Sequence, residues 1–134
     1  ARENAIRSLQ KYEEEVEQYR NLDRETCMKI FAIHEKNAEI LLEKEDTHNA
    51  IRAINCELNL IDEEKDWFLK AEKLRQRGEI AFKEGRVIES EKDLKESERI
   101  LVSKKESFNL RRKQIESKYF WKYITGCCMS KNRI

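Results

Sequence analysis

The chain has 134 residues, no proline, three glycines, 41 % charged and 39 % hydrophobic residues, and a net charge of +1. Sheets and sandwiches need turn residues every ~8–12 positions, so a β architecture is excluded, and a near-neutral charge gives no bulk attraction for polyanions. The balance suits long helices with a narrow apolar stripe, and the regular aliphatic spacing argues against disorder.

The first residue is Ala, which implies a processed chain or a fragment. No basic–apolar–small leader pattern opens it, and no run reaches the ~18 apolar residues that span a bilayer. Cys27, Cys56, Cys127 and Cys128 form no disulfide framework. The expected compartment is therefore cytoplasmic or nuclear, not secreted.

From Leu9, alternating steps of three and four pass through Tyr12, Val16, Tyr19, Asp23, Thr26, Ile30, Ile33, Asn37, Ile40, Lys44, Thr47, Ile51, Ile54, Leu58, Ile61, Lys65 and Phe68. Twelve of these eighteen positions are apolar and the phase does not slip. A sustained heptad predicts a left-handed supercoil with a partner helix. One long heptad-bearing helix over residues 1–77 is the favoured reading. A bend near 45–49, with Asp46 or Thr47 as N-cap of a further helix, is the alternative and would give a three-helix bundle. Asp23, Asn37, Lys44 and Lys65 are the polar exceptions on the first core position; a buried Asn there fixes register. Leu22, Met28, Phe31, Leu41, Leu42, Leu60, Trp67 and Leu69 lie off the row and widen the stripe, as bundles require.

Residues 78–86 hold Gly78 and Gly85, which mark a turn, with Gly85 suited to the left-handed end of a helix. A return helix over 87–124 follows, with Val87, Leu94, Leu101, Phe108 and Ile115 at seven-residue intervals. Ser90 and Ser97 are small enough for two backbones to approach closely. The thin stripe cannot stabilise a lone helix, so the return helix is expected to fold back antiparallel on the preceding one.

Leu74, Gly78 and Gly85 give residues 71–101 a spacing that resembles the tetratricopeptide repeat, although Ser90 and Ser97 stand where that family has Ala and no second copy follows. Glu84-Gly85-Arg86-Val87, Glu89-Ser90 and Lys104-Lys105-Glu106 are similar to the helical segment of splicing factors that act at 5′ splice sites. That family also carries zinc fingers, and this chain has no Cys-x-x-Cys. Both resemblances imply a helix–Gly–helix turn.

The tail over 125–134 is basic and carries Cys127 and Cys128. Residues 108–134 hold seven basic side chains (Arg111, Arg112, Lys113, Lys118, Lys122, Lys131 and Arg133) against Glu116 alone. Two acylated cysteines behind Trp121 and its aromatic neighbours would anchor to an anionic membrane surface. The plainer reading is that the aromatics cap the open end of the hairpin. RNA contact by stacking and phosphate pairing is the weakest of the three.

Cys27 and His34 lie two helical turns apart, but no zinc-ligand spacing is present. Acidic runs such as Glu13-Glu14-Glu15 are solvated helix surface, and no nucleophile–His–acid set or phosphate loop occurs. The expectation is an all-α coiled-coil hairpin without catalytic residues, cofactor or metal. It acts as a scaffold or docking subunit that bridges protein partners through helix packing and forms a self-dimer through the Leu9 row. A membrane-peripheral adaptor and a ribonucleoprotein subunit are the alternatives.

Overall fold

The computed structural model describes the backbone of residues 1–19 and 21–125, and their side chains apart from Tyr19, Ile115 and residues 118–125. The described residues form helices joined by short connections, with no strand among them. The helices are α1 (Arg2–Glu14), α2 (Arg24–Glu43), α3 (Thr47–Leu60), α4 (Trp67–Lys83) and α5 (Val87–Thr125), with a short 3-10 turn at Val16–Tyr19. The chain divides into two compact units, Ala1–Glu98 and Arg99–Ile134.

The single helix expected over 1–77 is four helices, and each break has a local cause. Asp23 caps α2, its carboxylate accepting from the Thr26 backbone N–H at 2.7 Å. α2 ends with Glu45 at φ 59°, and the Asp46 N–H reaches back to the Leu41 carbonyl at 2.8 Å. This is the six-to-one bond of a Schellman turn. Asp46 then caps α3 by accepting from the Asn49 N–H at 3.3 Å, so the bend near 45–49 is present. Between α3 and α4, the Asp62 carboxylate accepts from the N–H groups of Glu64 and Lys65 at 2.8 and 3.1 Å. That local turn competes with helix.

The core of the first unit is built from Ala5, Leu9, Ala38, Leu41, Ala50, Ala53, Ile54, Cys56 and Ile80, with Ile6, Leu42, Ile51 and Leu58 packed against it. α2 and α3 share the largest interface, and α1 packs on both. Ala50 and Ala53 on α3's inner face let the two backbones lie close. α1 is registered by polar contacts at its rim. The Asn37 amide donates to Ser8 Oγ at 3.1 Å, and the Arg52 guanidinium pairs with the Glu13 carboxylate.

The heptad row does not form one buried line. Leu9, Ile30, Asn37 and Ile54 are buried, while Tyr12, Ile40, Ile51, Leu58 and Ile61 are half-buried. Val16, Ile33 and Phe68 face solvent. In α2 the inner face runs through Ile30, Phe31, His34, Asn37, Ala38 and Leu41. It is a broad stripe because α2 meets two neighbours, and its centre is offset by about one residue from the row, which puts Ile33 at the edge.

Gly78 is not part of the turn; it lies buried inside α4. A Cβ there would stand 3.0 Å from Leu94 Cγ and 3.2 Å from Asp93 Cβ, so glycine permits the close approach of α5. The turn itself is confined to 84–86. Gly85 takes φ 81°, and the Arg86 N–H reaches the Ala81 carbonyl at 2.9 Å, a second Schellman turn. The early part of α5 then runs antiparallel to α4. Arg77 pairs bidentately with Asp93 at 2.8 Å for each bond, and Ser97 Oγ donates to the Ala71 carbonyl at 2.6 Å. Ser90 and Ser97 are both buried in this contact.

Candidate functional site

Three features of the described residues have functional potential: a buried charged cluster, a cavity, and a row of exposed apolar side chains on α5. The cluster joins α2, α3 and α4. Glu57 is the only acid of α3 and is fully buried, at 0 % exposure. The Lys73 ammonium donates to Glu35 Oε2 at 2.9 Å and lies 3.4 Å from Glu57 Oε2, an ion-pair contact that leaves the Glu57 oxygens without a hydrogen bond. The same ammonium sits 5.5 Å from the Phe31 ring centroid. Burial raises Glu57 to about 7 even though the Lys73 charge opposes it. Burial lowers Lys73, but the Glu35 hydrogen bond and the Glu57 charge outweigh it and hold the ammonium above its ordinary value. The cluster ties three helices together, with Glu57 and Lys73 buried and the Glu35 side chain half-exposed.

The cavity, about 720 Å³, lies in the first unit among Tyr12, Cys27, Met28, His34, Cys56 and Leu60. The Arg24 guanidinium and the buried Asp66 carboxylate pair at its wall. That hydrogen bond holds Asp66 below the usual carboxylate range. His34 is 1 % exposed, its ring edge-on to Tyr12 with centroids 4.5 Å apart. Burial lowers it to about 4, so its imidazole is neutral at pH 7. Burial likewise raises the Cys56 thiol to about 11, which leaves it protonated and a poor nucleophile. Cys27, His34 and Cys56 thus line one cavity. Among the described residues, however, no set of three His, Cys, Asp or Glu side chains is placed to hold a metal ion.

α5 carries the third feature. Val87, Leu101 and Phe108 of the seven-residue row face solvent, Leu101 at 41 % and Phe108 at 66 %, while Leu94 is partly covered against Gly78. Arg111, Arg112 and Lys113 are exposed on the same helix. Ile115, Lys118, Trp121 and Lys122 belong to α5, but their side chains lie outside the described set, and Cys127 and Cys128 lie outside the described residues. In the first unit, Phe68, Phe82 and Ile88 are also exposed, Ile88 at 84 %. No described helix is long and apolar enough to cross a membrane.

Glu57, Lys73 and the Arg24–Asp66 pair escaped the sequence reading. Only Glu57 left a trace there, as a lone acid among Ala53, Ile54 and Cys56. No known protein family, characterised protein or solved structure matches the chain.

Proposed function

We propose that the chain is a non-enzymatic helical scaffold that docks other proteins against α5 while its α1–α4 unit serves as the rigid support. The observation that carries this reading is the exposed, evenly spaced row on α5. Large apolar side chains two turns apart on one face lose free energy for as long as they stay in water. A helix with so thin a stripe gains its stability from packing against something else. The first unit also exposes Phe68, Phe82 and Ile88, further apolar side chains that a second partner could cover. The buried Glu57–Lys73 pair, which joins helices, and the protonated Cys56 support a structural rather than a catalytic role.

Photo-crosslinking tests the proposal. With benzoylphenylalanine in place of Leu101 or Phe108, irradiated cells should yield adducts with other polypeptides. Glu106, five residues after Leu101 and off the row, should give far fewer when replaced in the same way. If positions 101 and 108 cross-link no polypeptide, the scaffold reading is wrong.

A further inference from the structure

We infer that the α5 row at Leu101 and Phe108 is a docking strip for an acidic amphipathic helix of another protein, with an apolar residue every seven positions and carboxylates on both sides of that row. This names the partner class for the docking role proposed above and rests on it.

The warrant is the placement of charge around the row. On a helix, the residues three and four positions after a given side chain are its neighbours on either flank. Lys104 and Lys105 take those positions after Leu101, and Arg111 and Arg112 take them after Phe108. The apolar rib is therefore bordered by a basic rail on each side. Lys105, Arg111 and Arg112 are exposed, and Lys104 is half-buried. Three acids belong to the same stretch. Glu98, exposed, lies three before Leu101 at the N-terminal end of the strip, ahead of Lys104 and Lys105. Glu106 lies five after Leu101 and two before Phe108, away from the rails. Glu116 pairs with Arg112 at 3.5 Å, with both side chains close to two-thirds exposed, so the guanidinium stays hydrated and open to a second carboxylate.

Rib and rails together select among occupants. In a coiled coil the apolar core sets the pairing, and the charges flanking it set the partner. A second copy of this chain would bring basic rail against basic rail in either orientation, which repels. A nucleic acid would satisfy the rails but leave Leu101 and Phe108 in water. A membrane helix needs a continuous broad apolar face. Val102 and Leu110 are also exposed, but they stand about 100° and about 180° around the helix from Leu101, outside the row. An acidic helix with a matching row covers the rib and neutralises both rails.

The full-length chain can be titrated with two synthetic four-heptad peptides that share leucines at the core positions and carry either Glu or Lys at all flanking ones. Fluorescence anisotropy at low salt should show the Glu peptide binding at least about tenfold more tightly than the Lys peptide. Raising salt should weaken that binding, because the rails are exposed. Leu101→Ser with Phe108→Ser should lose about tenfold or more. Reversing the rails (Lys104→Glu, Lys105→Glu, Arg111→Glu, Arg112→Glu) should transfer the preference to the Lys peptide. All of these changes lie on exposed or half-buried positions, and circular dichroism checks that the helices persist.

The inference is overturned if the Glu peptide fails to bind more tightly than the Lys peptide. It is equally overturned by tighter binding to anionic vesicles or to a single-stranded RNA oligonucleotide, or by a dimer in light scattering that Phe108→Ser dissolves. Cross-links from positions 101 and 108 to polypeptide segments poor in acids would remove the charge assignment and leave the scaffold standing. Absence of polypeptide adducts would remove both.

Discussion

Two buried side chains titrate against each other, and their signs oppose. Glu57 has a folded value of about 7 against an ordinary 4.5, so the folded chain holds the proton more tightly than the unfolded chain between those limits. Its contribution is full below pH 4.5 and is lost as pH rises to about 7. His34 has a folded value of about 4 against 6.5, so the unfolded chain binds the extra proton. Its contribution is full above pH 6.5 and is lost as pH falls towards 4. Each shift corresponds to about 3 kcal/mol. The aspartates held low (Asp23, Asp46, Asp62 and Asp66) act below their ordinary 3.8 and leave this window alone. Stability of the natural chain should therefore be nearly flat between about pH 4.5 and 6.5. Glu57→Gln should unmask a rise with pH across the window, and His34→Gln a fall. Urea midpoints at three pH values would show it, and parallel profiles for the two variants would refute the assignment.

At the scale of elements, the two Schellman turns make a matched pair. Each ends a helix on a left-handed residue, but one uses Gly85 and the other Glu45. A residue with a Cβ pays about 1–2 kcal/mol in that conformation, and glycine does not. The Glu45 side chain is exposed and has no part in the core. Glu45→Gly should therefore stabilise the bundle by about 1 kcal/mol, and Gly85→Ala should destabilise it by a similar amount. Denaturant unfolding measures both. A loss of stability for Glu45→Gly would mean that the turn is held by something other than backbone strain.

The same turns explain which part of the fold the sequence could disclose. Counting apolar positions gives helix, since periodicity is a property of side-chain spacing. It does not register the sign of φ at Glu45, which decides that the chain reverses there. The polar exceptions in the row carried that information. Asp23 is the N-cap of α2, Lys44 its C-cap, and Lys65 lies in the connection before α4. Of these four, only Asn37, bonded to Ser8, is buried inside a helix. Three of four apparent register markers were thus helix boundaries, and the unslipped phase reflects short connections rather than continuity. Gly78 misled for the opposite reason. A glycine required by the approach of Leu94 looks, in sequence, like one required by a turn. The α5 row was plain in the sequence because one helix carries it. The Glu57–Lys73–Glu35 cluster was not, because its members come from three helices and only packing brings them together.

For the whole molecule, buried core positions and exposed apolar positions should respond differently to substitution. Ile54 is fully buried in the core, and Leu101 and Phe108 are exposed. A carboxylate at position 54 would be unpaired in an apolar interior, so Ile54→Asp should cost at least several kcal/mol. Leu101→Ser with Phe108→Ser should change the unfolding free energy by no more than about 0.5 kcal/mol per site, the range for surface positions. Hydrogen exchange should divide the same way. Amides around Ala38, Leu41, Ala53 and Ile54 should open only with global unfolding. Those around Leu101 and Phe108 should exchange orders of magnitude faster in the isolated chain, because few buried contacts hold them. Adding the Glu-flanked peptide should slow exchange along α5 and leave the α2–α3 amides unchanged. Equal protection of both regions in the isolated chain would mean that the α5 row is already covered within the protein, leaving no apolar strip for a partner to occupy.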